Sequence, residues 1–284
     1  MASKTSKVSV IGAGHVGSAI AYALVLLHEC QEIVLFDRKL PKAEGQAWDI
    51  NDVVPLLWDI NITPSSNYED LADSDVIVVT VGKNPEEGET RLDVLGKNAE
   101  IITSVMKELD KVAPNSVVII VSNPVDPLTR IAIEASSRPE SLIFGSGTVL
   151  DTSRLRSQLG KKLNVNVEDV HTYVVGEHGE SAFAVWSNAL IGAIRLDEFC
   201  PYTGEDLDKF KQECIEATIK RAYDIAERKG YTNYGIAVAV SQLVGSVLRD
   251  ENKIFTVSVK ALADYRIGDE VVLCLPCIIG KEGV

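Results

Sequence analysis

Gly12-Ala13-Gly14-His15-Val16-Gly17 is the stretch from which the fold of this 284-residue chain can be read. It follows an apolar run, residues 7–11, with the character of a strand. It opens a second apolar run, residues 16–27, with the character of a buried helix. Glycines in GxGxxG spacing at such a junction have separate uses. The first allows a tight turn, the second lets the backbone approach a diphosphate, and the third lets helix and strand pack closely. Amides and dipole at the helix start favour an anion. Glycine-rich turns also serve packing alone, so the motif needs a second feature. Asp37 supplies it at the end of the next strand, residues 32–36, twenty positions after Gly17. A carboxylate there binds a ribose 2′-hydroxyl and repels a 2′-phosphate. The sequence thus predicts a dinucleotide site made by Gly12, Gly14, Val16, Gly17 and Asp37, with NAD preferred to NADP. Arg38, next door, works against that preference.

Outward from this motif, strand and helix patterns alternate. Residues 75–81 and 117–121 are continuous apolar runs of the kind buried on both faces of a parallel sheet. Residues 101–112 read as an amphipathic helix and 142–144 as a short strand. After Gly147 the rhythm changes. Helices are expected at 151–163, 207–229 and 238–248, hairpin-like stretches between the first two, and strands within 254–275 joined by a turn at 266–269. The predicted architecture is α/β: a Rossmann-type doubly wound parallel sheet in a dinucleotide-binding domain, residues 1–145, followed by a mixed α+β substrate domain, residues 146–284.

Composition limits the partners. Apolar residues make up 46% of the chain, enough for a substantial core, and the net charge is −13. Such an acidic chain repels nucleic acid and anionic membranes, so an anionic substrate needs a local cationic pocket. The apolar segment 19–27 is too short to span a bilayer. Five scattered cysteines point to reduced thiols and a cytoplasmic location. Cys274 and Cys277 have CxxC spacing but lie in a strand-like run with no second pair, and no metal site is expected.

Four segments carry chemistry. Gly176-Glu177-His178-Gly179 places a histidine between glycines after an apolar strand, where a ligand can approach closely. Thr148-Val149-Leu150-Asp151-Thr152-Ser153-Arg154 opens a helix. It can be read as a capping box, with Thr148 as N-cap and Asp151 reaching back. It can also be read as Asp151 and Arg154 sharing a face, the arginine gripping a carboxylate while the aspartate orients a histidine. Gly88-Glu89-Thr90-Arg91 and Ser122-Asn123-Pro124-Val125-Asp126 follow the two buried strands, at the sheet edge where ligands bind. Taken singly, Arg91 reads as a solvated charge and Asn123-Pro124 as an ordinary turn.

Together with GAGHVG, VLFD and KGYTNYGIA, these segments closely resemble the L-lactate dehydrogenase family, which includes the malate and L-2-hydroxyisocaproate enzymes. The landmarks occur in the family's order from about residue 7 to 283. The resemblance implies interconversion of a small 2-keto monocarboxylic acid and its L-2-hydroxy acid, with NAD as cofactor. His178 is then the acid/base, Asp151 fixes its tautomer, Arg154 binds the substrate carboxylate, and Arg91 polarises the carbonyl from a mobile loop. Asn123 serves substrate and cofactor, and Thr232 lines the pocket.

Six residues before the loop arginine, where lactate enzymes usually carry glutamine and malate enzymes arginine, stands Pro85, followed by Glu86 and Glu87. A dicarboxylate such as oxaloacetate is therefore expected to be disfavoured, Lys83 being the only counter-argument. Pro85, Tyr234 and Gly235 leave room for bulkier keto acids, as in an L-2-hydroxyisocaproate enzyme. Family members usually continue with a further C-terminal helix, whereas this sequence ends at Val284, so a catalytically silent NAD-binding protein is the reading from another class. The resemblance also implies a homo-oligomer, dimer or tetramer. Arg156 and His171 would bind fructose 1,6-bisphosphate as an allosteric effector between subunits.

Overall fold

The computed structural model describes residues 5–57, 59–83, 91–261, 267–268 and 271–284, with the side chains of 91–93 set aside. Six parallel strands form the centre: β1 (Lys7–Ile11), β2 (Glu32–Phe36), β3 (Asn61–Ser65), β4 (Val76–Val79), β5 (Val117–Ile120) and β6 (Ile143–Gly145). They lie in the order β3-β2-β1-β4-β5-β6, which changes direction between β1 and β4. A crevice at the carboxyl ends of β1 and β4 follows from that reversal. Every residue of β4 and β5 is buried, as a strand covered on both faces requires.

Helices α1 (His15–Leu26) and α2 (Leu40–Asn51) cover one face, and α3 (Arg91–Val112) and α4 (Val125–Ala135) the other. Helix α3 starts ten residues before the helix expected from sequence. Its core face runs through Val94, Asn98, Ile102, Val105, Met106 and Leu109, and the buried amide of Asn98 interrupts the apolar period that sequence reading follows. Arg91 therefore heads a helix instead of lying in a loop. Its side chain, and Pro85, Glu86 and Glu87, lie outside the described residues.

In the second half, α5 (Val149–Leu163) leads into the short strands β7 (Val170–His171), β8 (Val174–Val175), β9 (Phe183–Ala184), β10 (Leu190–Ile191) and β11 (Ile194–Arg195), then α6 (Leu196–Phe199) and α7 (Gly204–Lys229). Leu155, Leu159, Val174, Phe210 and Cys214 form a separate core there. The remaining elements return to the first core. Helix α8 (Tyr234–Leu248) packs Ala237, Val240 and Val244 with Ile20 and Leu24 of α1. The two helices run parallel, since Tyr231 meets His15 at their starts and Arg249 meets Glu29 at their ends. The hairpin β12 (Lys253–Lys260) and β13 (Val272–Ile279) adds antiparallel to β6, giving one eight-stranded sheet. Its two edge strands carry Pro64 on β3 and Pro276 on β13, each of which removes an edge donor that another chain could pair with.

Candidate active site

The glycine turn and Asp37 meet as the sequence predicted. Gly12 has φ +108°, a left-handed value that favours glycine. A Cβ on Gly17 would lie 1.8 Å from the Gly12 carbonyl oxygen, so this glycine exists for helix–strand contact. A Cβ on Gly14 would approach only Lys42 Nζ, at 3.8 Å, so the space beside it is open to a ligand. Asp37 accepts from the Ala13 amide at 3.1 Å, the Lys39 amide at 3.0 Å and Lys42 Nζ at 3.3 Å. Burial pushes its pKa up, but those amides and the ammonium outweigh it and hold the carboxyl below its ordinary value. An ionised Asp37 beside an open turn at a helix start fits a dinucleotide.

These distances separate two glycine roles. Gly17→Ala should destabilise the fold by about 1–3 kcal/mol, because a backbone carbonyl must move. Gly14→Ala should melt like the native protein and bind NADH about tenfold more weakly or worse. Thermal melts with NADH titrations test this, and a Gly14→Ala protein with native NADH affinity refutes it.

The second constellation stands at the carboxyl ends of β5 and β6. Asp151, in the first turn of α5, accepts from Arg154 Nη1 at 2.9 Å and lies 2.8 Å from His178 Nδ1. The capping-box reading fails here. Thr148 is the N-cap, but its hydroxyl donates to the Val174 carbonyl at 2.5 Å, and Asp151 turns to Arg154 and His178. Asp126 is buried and holds the histidine loop from behind. It accepts from the His178 amide at 2.7 Å, Ser258 Oγ at 2.5 Å and Cys274 Sγ at 3.3 Å. Gly176 and Cys274 also exchange both backbone hydrogen bonds, fastening the loop to β13.

Burial of the imidazole pulls its pKa down. The Asp151 hydrogen bond and charge outweigh that, Asp126 adds to them, and Arg154 opposes, leaving His178 above the ordinary histidine value. Burial likewise pushes Asp151 up, and His178 and Arg154 hold it below the ordinary carboxylate value. A buried acid held below its ordinary value and a histidine raised above its own form a proton-exchange pair.

Asn123 is exposed at the start of the turn into α4, joined to Pro124 by a cis peptide bond. Asn98 crosses to it from α3: its Nδ2 donates to the Asn123 carbonyl at 3.1 Å, and its Oδ1 accepts from the Lys83 amide at 2.8 Å. Thr232 is half-buried between α7 and α8. Arg156 Nε donates to the Thr172 carbonyl at 3.1 Å, and its guanidinium lies 5.3 Å from the Tyr173 ring centre; His171 on β7 is exposed. Cys274 and Cys277 stand three positions apart on β13, so their side chains point to opposite faces. Burial raises Cys277 to about 11 and raises Cys274 further. Among the described residues no group of three or more His, Cys, Asp or Glu could hold a metal, and no helix is long and apolar enough to cross a membrane.

A doubly wound sheet whose glycine turn opens beside an ionised aspartate, with a histidine–aspartate pair at the same edge, defines a dinucleotide-dependent oxidoreductase. The chain belongs to the lactate/malate dehydrogenase family: the model of its NAD-binding domain matches residues 6–145, and that of its α/β C-terminal domain residues 148–284. It is 43% identical over 281 residues to an L-lactate dehydrogenase of Clostridium perfringens (strain SM101 / Type A), covering 99% of this chain and 88% of the relative. It is 42% identical over 280 residues to the L-lactate dehydrogenase of Thermoanaerobacterium saccharolyticum, covering 98% and 89%. A lactate dehydrogenase from a Medee basin deep-sea metagenome library superposes with a TM-score of 0.92 at 37% identity, over 99% of this chain and 89% of that one. The minor L-lactate dehydrogenase of Enterococcus mundtii, in ligand-bound form, gives 0.93 at 32% identity over the same shares.

Proposed function

We propose that this chain is an NAD-dependent L-lactate dehydrogenase that reduces pyruvate to L-lactate and catalyses the reverse. The observation that carries the reading is the 2.8 Å contact between His178 Nδ1 and Asp151, which engages one ring nitrogen and leaves Nε2 to exchange the substrate proton. When bound, the dinucleotide supplies or accepts the hydride. Arg154, oriented by Asp151 through Nη1, binds the substrate carboxylate with the rest of its fork. His178 Nε2 gives its proton to the keto oxygen and takes it back in oxidation. Asn123 hydrogen-bonds in the same pocket, Thr232 lines it, and Arg91 polarises the carbonyl. The family relatives named L-lactate dehydrogenase support this assignment.

NADH oxidation with a panel of 2-keto acids tests the function. Pyruvate should exceed oxaloacetate in kcat/KM, because Pro85, Glu86 and Glu87 offer a second carboxylate no cation. Equal or better use of oxaloacetate by the native chain sinks that substrate assignment. Asp37→Ala should shift the NADH-to-NADPH preference by about two orders of magnitude, since it removes a like charge from the 2′-phosphate and leaves Lys42 behind. An unchanged preference removes Asp37 from that role.

The assembly is a homo-oligomer in this reading. Exposed Tyr22 and Leu26 on α1, Trp48 on α2 and the nearby Leu56 give the first half of the chain an apolar surface that a second copy would cover. Fructose 1,6-bisphosphate is the proposed effector at Arg156 and His171, beside a cavity of about 440 Å³ lined by Arg156, Ser153, Tyr173 and Gln242. Glu168 also lines it and opposes an anion. The bisphosphate should lower the pyruvate KM of the native chain and leave that of Arg156→Ala unchanged. No response in the native chain refutes the effector site. The five cysteines are free, as a reducing cytoplasm would keep them.

A further inference from the structure

The rings of His15 and Tyr231 stack with centres 3.9 Å apart and planes 2° from parallel. They come from opposite ends of the chain and from two segments with different tasks. His15 is the first residue of α1, inside the glycine motif, where the first-turn amides lack helical partners. Tyr231 precedes Thr232 in the loop between α7 and α8.

That loop is fixed at each end. Gly230 closes α7 in a left-handed conformation, and Asn233 begins α8. Lys229 Nζ donates to Asn233 Oδ1 at 2.6 Å and lies 4.9 Å and 3.8 Å from the ring centres of Tyr231 and Tyr234. The start of α8 also meets α5: a Cβ on Gly235 would come within 3.1 Å of Leu150, the neighbour of Asp151. Between these anchors, the ring stack links the loop directly to the glycine turn.

We propose that the His15–Tyr231 stack is a positioning device. It holds the loop carrying Thr232 in register with the dinucleotide turn, so that cofactor bound at the start of α1 sets one wall of the keto-acid pocket. This deepens the dehydrogenase reading above and rests on it. A cofactor diphosphate on the first amides of α1 immobilises His15. The imidazole face then immobilises the phenol ring, and the next peptide fixes Thr232. An offset or parallel aromatic pair contributes enough beyond its buried area to change an equilibrium by about three- to tenfold.

The test is a double-mutant cycle on the full-length protein with His15→Ala, Tyr231→Ala and the pair. The readouts are pyruvate KM and kcat at saturating NADH and the NADH dissociation constant. Each single variant should raise pyruvate KM about three- to tenfold with kcat within about twofold of native. The double variant should be no worse than the poorer single, because one contact is lost in all three. Tyr231→Phe and His15→Phe keep two rings in contact and should restore KM, whereas Tyr231→Leu keeps bulk without a ring and should not. Multiplicative losses in the double variant, or native KM in both alanine variants, overturn the proposal. If the native chain reduced no keto acid, the dehydrogenase reading would fall by itself. The cycle in NADH dissociation constants would still decide the stack: non-additive weakening upholds it and additive or absent weakening overturns it.

Discussion

His178→Gln should lower pyruvate turnover about 100- to 10,000-fold while NADH binds with native affinity. Glutamine keeps a polar group of similar reach but has no proton to give at neutral pH. The glycine turn and Asp37, which form the proposed cofactor site, touch none of the His178 contacts. Near-native turnover would remove His178 from the chemistry and leave the fold assignment intact. The pH dependence follows from the same geometry. Pyruvate must meet a protonated imidazole, so its binding to the enzyme–NADH complex should fail as pH rises through the elevated His178 pKa. Asp151→Asn should move that limit downward, because the hydrogen bond and charge that raise His178 are weakened together.

Stability obeys the same pair with a definite sign. His178 is raised in the folded chain, so its contribution is complete below the unfolded histidine value and is lost as pH rises through the folded one. Asp151 is depressed, so its contribution is complete above the unfolded carboxylate value and is lost as pH falls through the folded one. The pair therefore stabilises most between about pH 3.9 and about 6.5, the ordinary values of the two groups. Melts of the native chain and Asp151→Asn across pH should differ most in that window.

The features legible in the sequence are those carried by local spacing. GxGxxG followed by Asp37 implies a turn, a helix start and a strand end within one βαβ unit, and the structure brings them together. Asp151 and Arg154 share a helix face because they are three residues apart, and they pair. Long-range partners leave no such trace. Nothing near Ser258 or Cys274 indicates that β12 and β13 join the edge of β6 and deliver two donors to Asp126. In Ser122–Asp126, Asp126 carries no sign of its role in the sequence, since an aspartate after proline reads as a helix start. Lys42 had a readable sign: a cation five residues after the strand-ending aspartate lies on the first turn of the next helix, within reach of it. Asn98 is hidden for the opposite reason, because a polar residue on a core face breaks the period that marks that face.

Asp126→Ala should destabilise the chain by several kcal/mol, because it strands donors that cost about 1–3 kcal/mol each when buried without a partner. Those donors are the His178 amide and the Ser258 hydroxyl, with the Cys274 thiol as a weaker third. Asp126→Asn is the more informative change. Its amide oxygen can still accept from the His178 amide, and the Ser258 hydroxyl can turn to accept from the new NH2. The shape survives and the charge does not. Asp126 reaches His178 through the backbone and raises the imidazole by charge alone, whereas Asp151 acts by hydrogen bond and charge at the ring. Asp126→Asn should therefore lower the pH limit for pyruvate binding by less than Asp151→Asn does, and lower the melting temperature by less than Asp126→Ala. A larger pH shift from Asp126→Asn than from Asp151→Asn would mean that the carboxylate behind the loop, and not the one on the ring, governs the proton of His178. Native melting and a native pH limit in both Asp126 variants would mean that Ser258, Cys274 and the Gly176–Cys274 backbone pair hold the histidine loop without it.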